Sequence, residues 1–282
     1  MADKTPVVDS HHHFWDLSKF DYPWMPPGDN VLRRNYGPDD LRPLINKVGV
    51  NKTVIIQAAQ SVDETRWLLE IAESADFVAG VVGWVDLAAP DVGHTLDELQ
   101  KSPYFKGVRH IWEGEEDPGW LAKPEAIRGL KEIERRGLCY DFLARPQNLR
   151  YIPEIMDQAP NLRAVLDHIA KPAISEHMVE PWLSDIRRVA NINSMRCKVS
   201  GMVTEADHRN WKVDDLRPYV AHVLGMFGYD RLMFGTDWPV CTLAASYQQV
   251  TDAARELLSS LRPEESAAVF GGNAIKFYRL CV

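Results

Sequence analysis

Two histidines spaced two apart close an apolar run near the amino terminus, Pro6-Val7-Val8-Asp9-Ser10-His11-His12-His13-Phe14-Trp15-Asp16. Residues two apart on a strand share a face, so His11 and His13 can converge on one point while His12 faces away. A third imidazole, His168, ends Leu166-Asp167-His168-Ile169-Ala170-Lys171-Pro172, and a carboxylate, Asp237, ends Phe234-Gly235-Thr236-Asp237-Trp238-Pro239. Each alone has an ordinary structural reading: a satisfied core histidine, or an aspartate capping a turn. At the ends of three apolar runs they make one device. His11, His13 and His168 can bind one divalent cation or hydrogen-bond a substrate oxygen, and Asp237 can take a proton from water.

Weaker candidates end neighbouring runs. Gln57 could read a hydroxyl, and Arg109 could clamp a carboxylate or hydroxyl. Asp141 is an ambiguous carboxylate, and Lys171 could bind substrate or close its loop. Trp15, Trp112 and Trp238 follow site runs and could wall a sugar face, or simply pack the mouth of the fold.

Eight short apolar runs carry these groups: 7–13, 53–58, 78–86, 107–111, 139–143, 163–169, 195–201 and 232–237. Segments with helical periodicity separate many of them. Residues 64–75 place Trp67, Leu68 and Ile71 on one stripe; residues 124–137 place Ile127, Leu130 and Ile133 on another, with Gly137 as a C-terminal cap. Further helices are expected over 153–158, 180–190, 216–227 and 247–261. Strand followed by helix, repeated, implies parallel strands with crossover connections. Eight repeats point to a single α/β domain over 1–282, a (β/α)₈ TIM barrel whose strand ends carry the chemistry. An open doubly wound sheet is the competing fold, but no glycine-rich phosphate loop follows any strand. Gly271-Gly272-Asn273 reads as a helix junction. The irregular stretch 16–37 is long enough to cover the barrel mouth.

Composition narrows the partners. The chain has 282 residues, 45% hydrophobic and 26% charged, with net charge -8. An acidic surface argues against nucleic acid or an anionic membrane. No apolar run approaches the roughly 20 residues that span a bilayer, and the first six residues lack a secretory apolar segment. Four scattered cysteines without a C-x-x-C pair fit a reducing compartment, and a cytoplasmic location is expected. Oligomeric state is left open.

The ordered motifs resemble the amidohydrolase superfamily, and within it the amidohydrolase-2 group that holds sugar-lactone and pyrone-dicarboxylate lactonases. The resemblance is carried by Asp9-Ser10-His11-His12-His13-Phe14-Trp15, Asp167-His168-Ile169-Ala170-Lys171-Pro172, Lys198-Val199-Ser200-Gly201 and Gly235-Thr236-Asp237-Trp238-Pro239. Gly272-Asn273-Ala274-Ile275-Lys276-Phe277-Tyr278 resembles the family's end, so the likeness spans essentially the whole chain. It implies the same barrel fold. Two-metal members use a carboxylated strand-end lysine as a bridge; the fourth run here offers Arg109 and His110, and a guanidinium stays protonated. One metal or none is therefore expected, with zinc the ion if one is bound. The resemblance further implies hydrolysis of a small sugar-acid lactone to the aldonate, as in fuconolactonases and rhamnonolactonases. Asp237 would activate water, and His11, His13 and His168 would stabilise the oxyanion directly or through a cation. A metal-dependent decarboxylase on the same barrel and a non-catalytic carbohydrate-binding barrel are the alternatives.

Overall fold

The runs rich in Val and Ile lie side by side because their β-branched side chains fit a pleated surface buried on both faces. The computed structural model describes residues 5–282; residues 1–4, part of the stretch read for a leader, lie outside the described residues. The strands are β1 (Val8–His12), β2 (Lys52–Ile56), β3 (Val78–Gly83), β4 (Phe105–His110), β5 (Cys139–Phe142), β6 (Arg163–Leu166), β7 (Arg196–Val199) and β8 (Leu232–Phe234). They form one parallel sheet in sequence order. Main-chain bonds close it: Asp237 N–H donates to the His11 carbonyl at 2.8 Å, and His13 N–H donates to the Trp238 carbonyl at 2.7 Å. The (β/α)₈ barrel is the observed fold.

The returning helices are α1 (Pro38–Val48), α2 (Val62–Ser74), α3 (Val92–Leu99), α4 (Pro124–Arg135), α5 (Pro146–Leu149), α6 (Ile152–Gln158), α7 (Trp182–Ala190), α8 (Val213–Phe227), α9 (Tyr247–Leu257), α10 (Pro263–Ala267) and α11 (Asn273–Tyr278). The longer of these lay an apolar stripe on the sheet; in α4 the buried stripe includes Ile127, Leu130 and Ile133. At roughly 1.5–3 kcal/mol for each large aliphatic side chain buried, such a stripe fixes the helix more firmly than propensity does. Three helices, α1, α3 and the single-turn α5, go beyond the periodicity expected from sequence. In α1, Pro43 sits inside the helix, where proline normally argues against one, yet Leu41, Ile45 and Val48 are buried.

The Gly271-Gly272-Asn273 junction is a wide helical turn (Ala268–Gly272) joining α10 to α11. A Cβ on Gly271 would lie 1.9 Å from the Pro6 carbonyl, so only glycine allows that approach. Helix α11 then seals the amino-terminal end of the barrel, where Phe277 and Tyr278 pack with Val8, Val54, Val82 and Val165.

Several strands stop earlier than their apolar runs. The sixth run was expected to extend to Ile169, but β6 ends at Leu166 and the next residues turn sharply. His168, Ile169, Ala170 and Lys171 all have φ between +48° and +59°. Non-glycine residues rarely adopt that left-handed region, and four in succession are held there only by their surroundings. No helix among the described residues is long and apolar enough to cross a membrane.

Candidate active site

The carboxyl ends of the strands aim their side chains at one floor. In β1 a register shift between Asp9 and His12 lets the strand turn His11 into the barrel. His13 follows on the same side, and the left-handed turn after β6 swings His168 toward them. The His11 ring centroid lies 5.0 Å from that of His13 and 4.3 Å from that of His168. Three Nε2 atoms face one oxygen, Asp237 Oδ1, at 3.2 Å from His13, 3.7 Å from His11 and 3.7 Å from His168. Asp237 itself holds φ +60°. Two glycines make room: a Cβ on Gly201 (φ +61°) would lie 2.5 Å from His168 Nδ1, and one on Gly235 would lie 2.7 Å from the His11 Cβ.

Burial lowers the pKa of all three histidines, far below the usual value for His11 and His168, so the imidazoles are neutral. Their tautomers follow from their partners. His13 Nδ1 donates to the Ile56 carbonyl at 2.8 Å, which leaves the Nε2 lone pair facing Asp237. Donors flank both His11 nitrogens, Arg109 Nη1 at 3.3 Å from Nε2 and Lys198 Nζ at 3.1 Å from Nδ1. Only Nδ1 also has an acceptor, Asp167 Oδ1 at 3.4 Å, so the proton belongs on Nδ1 and Nε2 offers a lone pair. His168 Nδ1 pairs with Ser200 Oγ at 2.9 Å. His12 points away, bonded to Thr53 Oγ1 at 2.9 Å, with its pKa pushed down to about 3 by burial.

Lone pairs facing a carboxylate oxygen across 3.2–3.7 Å need a positive centre between them. A tetrahedral zinc with bonds of about 2.0–2.1 Å spaces its ligands about 3.3–3.4 Å apart. His11, His13 and Asp237 offer ligand atoms all within 4.8 Å of one another, as do His11, Asp167 and His168. The donor set fits one divalent cation held by three protein groups with a position left open, and the second ring nitrogens are anchored as such ligands require.

Beneath this floor lies a buried charge cluster. Lys198 Nζ sits 2.5 Å from Asp141 Oδ2, 2.9 Å from Asp167 Oδ1 and 3.1 Å from His11 Nδ1. Arg109 Nη1 lies 3.4 Å from Asp167 Oδ2, and Tyr278, reaching up from α11, donates its hydroxyl to Asp141 Oδ2 at 2.8 Å. Two acids against two bases leave the interior neutral, which buried charges require. Burial pushes the Asp141 carboxyl up to about 6 against the pull of Lys198. Burial acts the same way on Asp167, but the charges of Lys198 and Arg109 outweigh it and hold that carboxyl low.

Above the floor opens a cavity of about 250 Å³. His13, His168, Arg109 and Asp237 form its base, Trp24, Leu32 and Leu243 part of its apolar wall, and Glu113, Arg145, Lys171 and Glu205 part of its rim. Trp24 and Leu32 belong to the irregular stretch 16–37, which does lie over the mouth; Trp24 is pinned by its indole N–H to the Ala58 carbonyl at 2.7 Å.

Of the sequence candidates, His11, His13, His168, Asp237 and Arg109 meet at this floor, and Lys171 reaches the rim. Five others do not line the cavity and are corrected here, because each is buried behind it. Asp141 is locked below the floor by Lys198 and Tyr278. Gln57 is buried with its amide N–H on the Arg109 carbonyl, 3.3 Å away. Trp15 donates to the Arg34 carbonyl, and Trp238 packs edge-on against Phe14 and Tyr36. Trp112, also buried, packs on Phe142. Sequence reasoning passed over Asp167, Lys198, Glu113, Arg145 and Glu205 as site groups. A lysine inside the apolar run of β7 was the one available signal among them.

Barrel, floor and cavity define a hydrolase of the amidohydrolase type. The chain belongs to the amidohydrolase family, whose model matches residues 8–280. It is 35% identical over 285 residues to a protein of Burkholderia ambifaria named L-fucono-1,5-lactonase, covering 97% of this chain and 95% of that one. A protein of the same name from Burkholderia multivorans is 36% identical, covering 97% of this chain and 96% of that one. Among solved structures, an amidohydrolase from Burkholderia multivorans with bound zinc superimposes with TM-score 0.92 at 36% identity, covering 98% of this chain and all of that one.

Proposed function

We propose that this protein hydrolyses a sugar-acid lactone, opening the ring to the aldonate. The reading is carried by one observation: a neutral imidazole cluster, a guanidinium and a carboxylate share the floor of a cavity sized for one small ring. The two Burkholderia relatives named L-fucono-1,5-lactonase support the substrate class, and no observation at the site favours decarboxylation or silent binding.

The lactone lies with its carbonyl toward the floor. Asp237 takes a proton from a water as the water oxygen bonds to the carbonyl carbon. Because the Nε2 atoms of His11 and His13 present lone pairs, these neutral rings do not themselves donate to an oxyanion; they serve as ligands. A divalent cation bound by His11, His13 and Asp237, with His168 beside them, would supply Lewis-acid stabilisation of the developing charge. Arg109 adds a fixed positive charge beside it. As the ring C–O bond breaks, Asp237 returns its proton to the leaving ring oxygen, and the new carboxylic acid ionises.

A panel of five- and six-membered sugar lactones tests this, followed by proton release at constant pH with and without a chelator. Proton release on at least one sugar lactone, lost on chelation and restored by zinc, is the expected result. No turnover of any sugar lactone would overturn the substrate class. Full activity after verified removal of metal would overturn the cation's role.

A further inference from the structure

Four side chains from four loops form an alternating chain across the cavity rim. Lys171 Nζ lies 2.6 Å from Glu113 Oε1, Arg145 Nε lies 3.1 Å from Glu113 Oε2, and Arg145 Nη1 lies 3.4 Å from Glu205 Oε2. They come from the loops after β6, β4, β5 and β7, and all four line the cavity. Plain ties between surface loops are exposed and weak; this chain is different. Lys171, Glu113 and Glu205 keep only about a sixth of their side-chain surface (15%, 17% and 15%). Among the described residues, Glu113 Oε2 is buried with no hydrogen-bond partner, because Arg145 meets it as a charge but out of line. Across the mouth the wall is apolar, at Trp24, Leu32 and Leu243.

From this geometry we infer that the Lys171–Glu113–Arg145–Glu205 chain reads the hydroxyl groups of a neutral, polyhydroxylated lactone, with Glu113 as the specificity-determining acceptor. The inference rests on the lactonase reading above. A vicinal diol matches an alternating rim: the cavity-facing part of the Glu113 carboxylate accepts one hydroxyl proton while Lys171 or Arg145 donates to the neighbouring oxygen. Two acids and two bases balance, so the rim offers no net attraction to a carboxylate on the ring. A site built to bond hydroxyls discriminates strongly against a ring that lacks them, because its polar groups are then left unpaired.

The experiment compares kcat/KM for the sugar lactone turned over fastest in the panel with that for δ-valerolactone, the bare six-membered ring. In the unaltered protein the sugar lactone is favoured by at least roughly 100-fold. In Glu113→Gln that ratio falls by roughly 10- to 100-fold, chiefly through KM for the sugar lactone. A ratio does not depend on how much of the variant is folded; if Glu113→Gln yields no protein, Lys171→Gln is read the same way. A ratio near one in the unaltered protein, or a ratio unmoved by the substitution, overturns the inference. So does equal turnover of a six-membered lactone carrying a ring carboxylate. Failure of every sugar lactone in the panel would instead sink the lactonase reading itself, so the two failures are distinct.

Discussion

The main-chain N–H of Asp237 donates to the carbonyl of His11 at 2.8 Å. The bond that closes the barrel between its first and last strands therefore also sets the distance between the carboxylate and the imidazole cluster. Asp9 bolts this seam. Its Oδ1 accepts the Thr236 N–H at 3.0 Å, and its Oδ2 accepts the hydroxyls of Thr236 at 2.6 Å and Tyr247 at 2.9 Å. Positioning of the floor rests on main-chain bonds and buried side chains at the strand ends, while the rim rests on the loops further out.

Removing the bolt should therefore cost both stability and turnover. Asp9→Ala leaves the Thr236 and Tyr247 groups unsatisfied in a fully buried place, a penalty of about 2–4 kcal/mol. Urea unfolding measures the first effect and the rate on the best lactone the second. A variant as stable as the parent but slow, or as fast but unstable, would separate the seam from the site.

His168 depends on a neighbour without a side chain. In Gly201→Ala the new methyl group meets the imidazole ring at 2.5 Å, and φ +61° strains any residue but glycine there. The ring must move, so turnover should fall at least about tenfold and zinc, titrated with a chelating indicator, should bind more weakly. Undiminished rate with undiminished zinc affinity would show that the ring has room the structure denies it.

Stability against pH has a sign that one buried acid can isolate. Glu64 accepts the N–H groups of Ala58 and Ala59, yet burial raises its pKa from 4.5 to about 7. The folded state thus holds the proton more tightly than the unfolded one. The stability this contributes is fully present below about pH 4.5 and is lost as pH rises through about 7. The buried histidines act in the opposite direction: with their pKa lowered, their contribution is present above about 6.5 and is lost as pH falls. Glu64→Gln keeps an acceptor for both amides and cannot ionise. Its stability relative to the parent should rise between pH 5 and pH 8 by an amount of order kcal/mol, measured by urea unfolding at both values. A constant difference would mean that Glu64 titrates normally.

Much of this was legible in sequence because barrel strands buried on both faces write themselves as Val and Ile runs, and because the polar residues ending those runs stand out against them. His11, His13, His168 and Asp237 were visible for that reason. Less visible was where each strand stops. The run to Ile169 looks extended, and only the packing around Ala170 and Lys171 holds four residues left-handed. Tyr278 lies 137 residues from its partner Asp141 and carries no local sign of the pairing. Aromatic residues beside the site were misleading, since Trp15 and Trp238 support the wall from behind while Trp24, in the irregular stretch 16–37, faces the cavity.

The central claim is that Asp237 moves the proton in lactone opening. Asn matches its size, and it tolerates the left-handed backbone at that position better than most residues. The decisive measurement is the rate of proton release at constant pH on the best sugar lactone, for the parent and Asp237→Asn at equal zinc occupancy. The account predicts a loss of roughly 10²–10⁴-fold with the melting temperature little changed. A zinc-loaded Asp237→Asn protein that opens the lactone at the parental rate would contradict it.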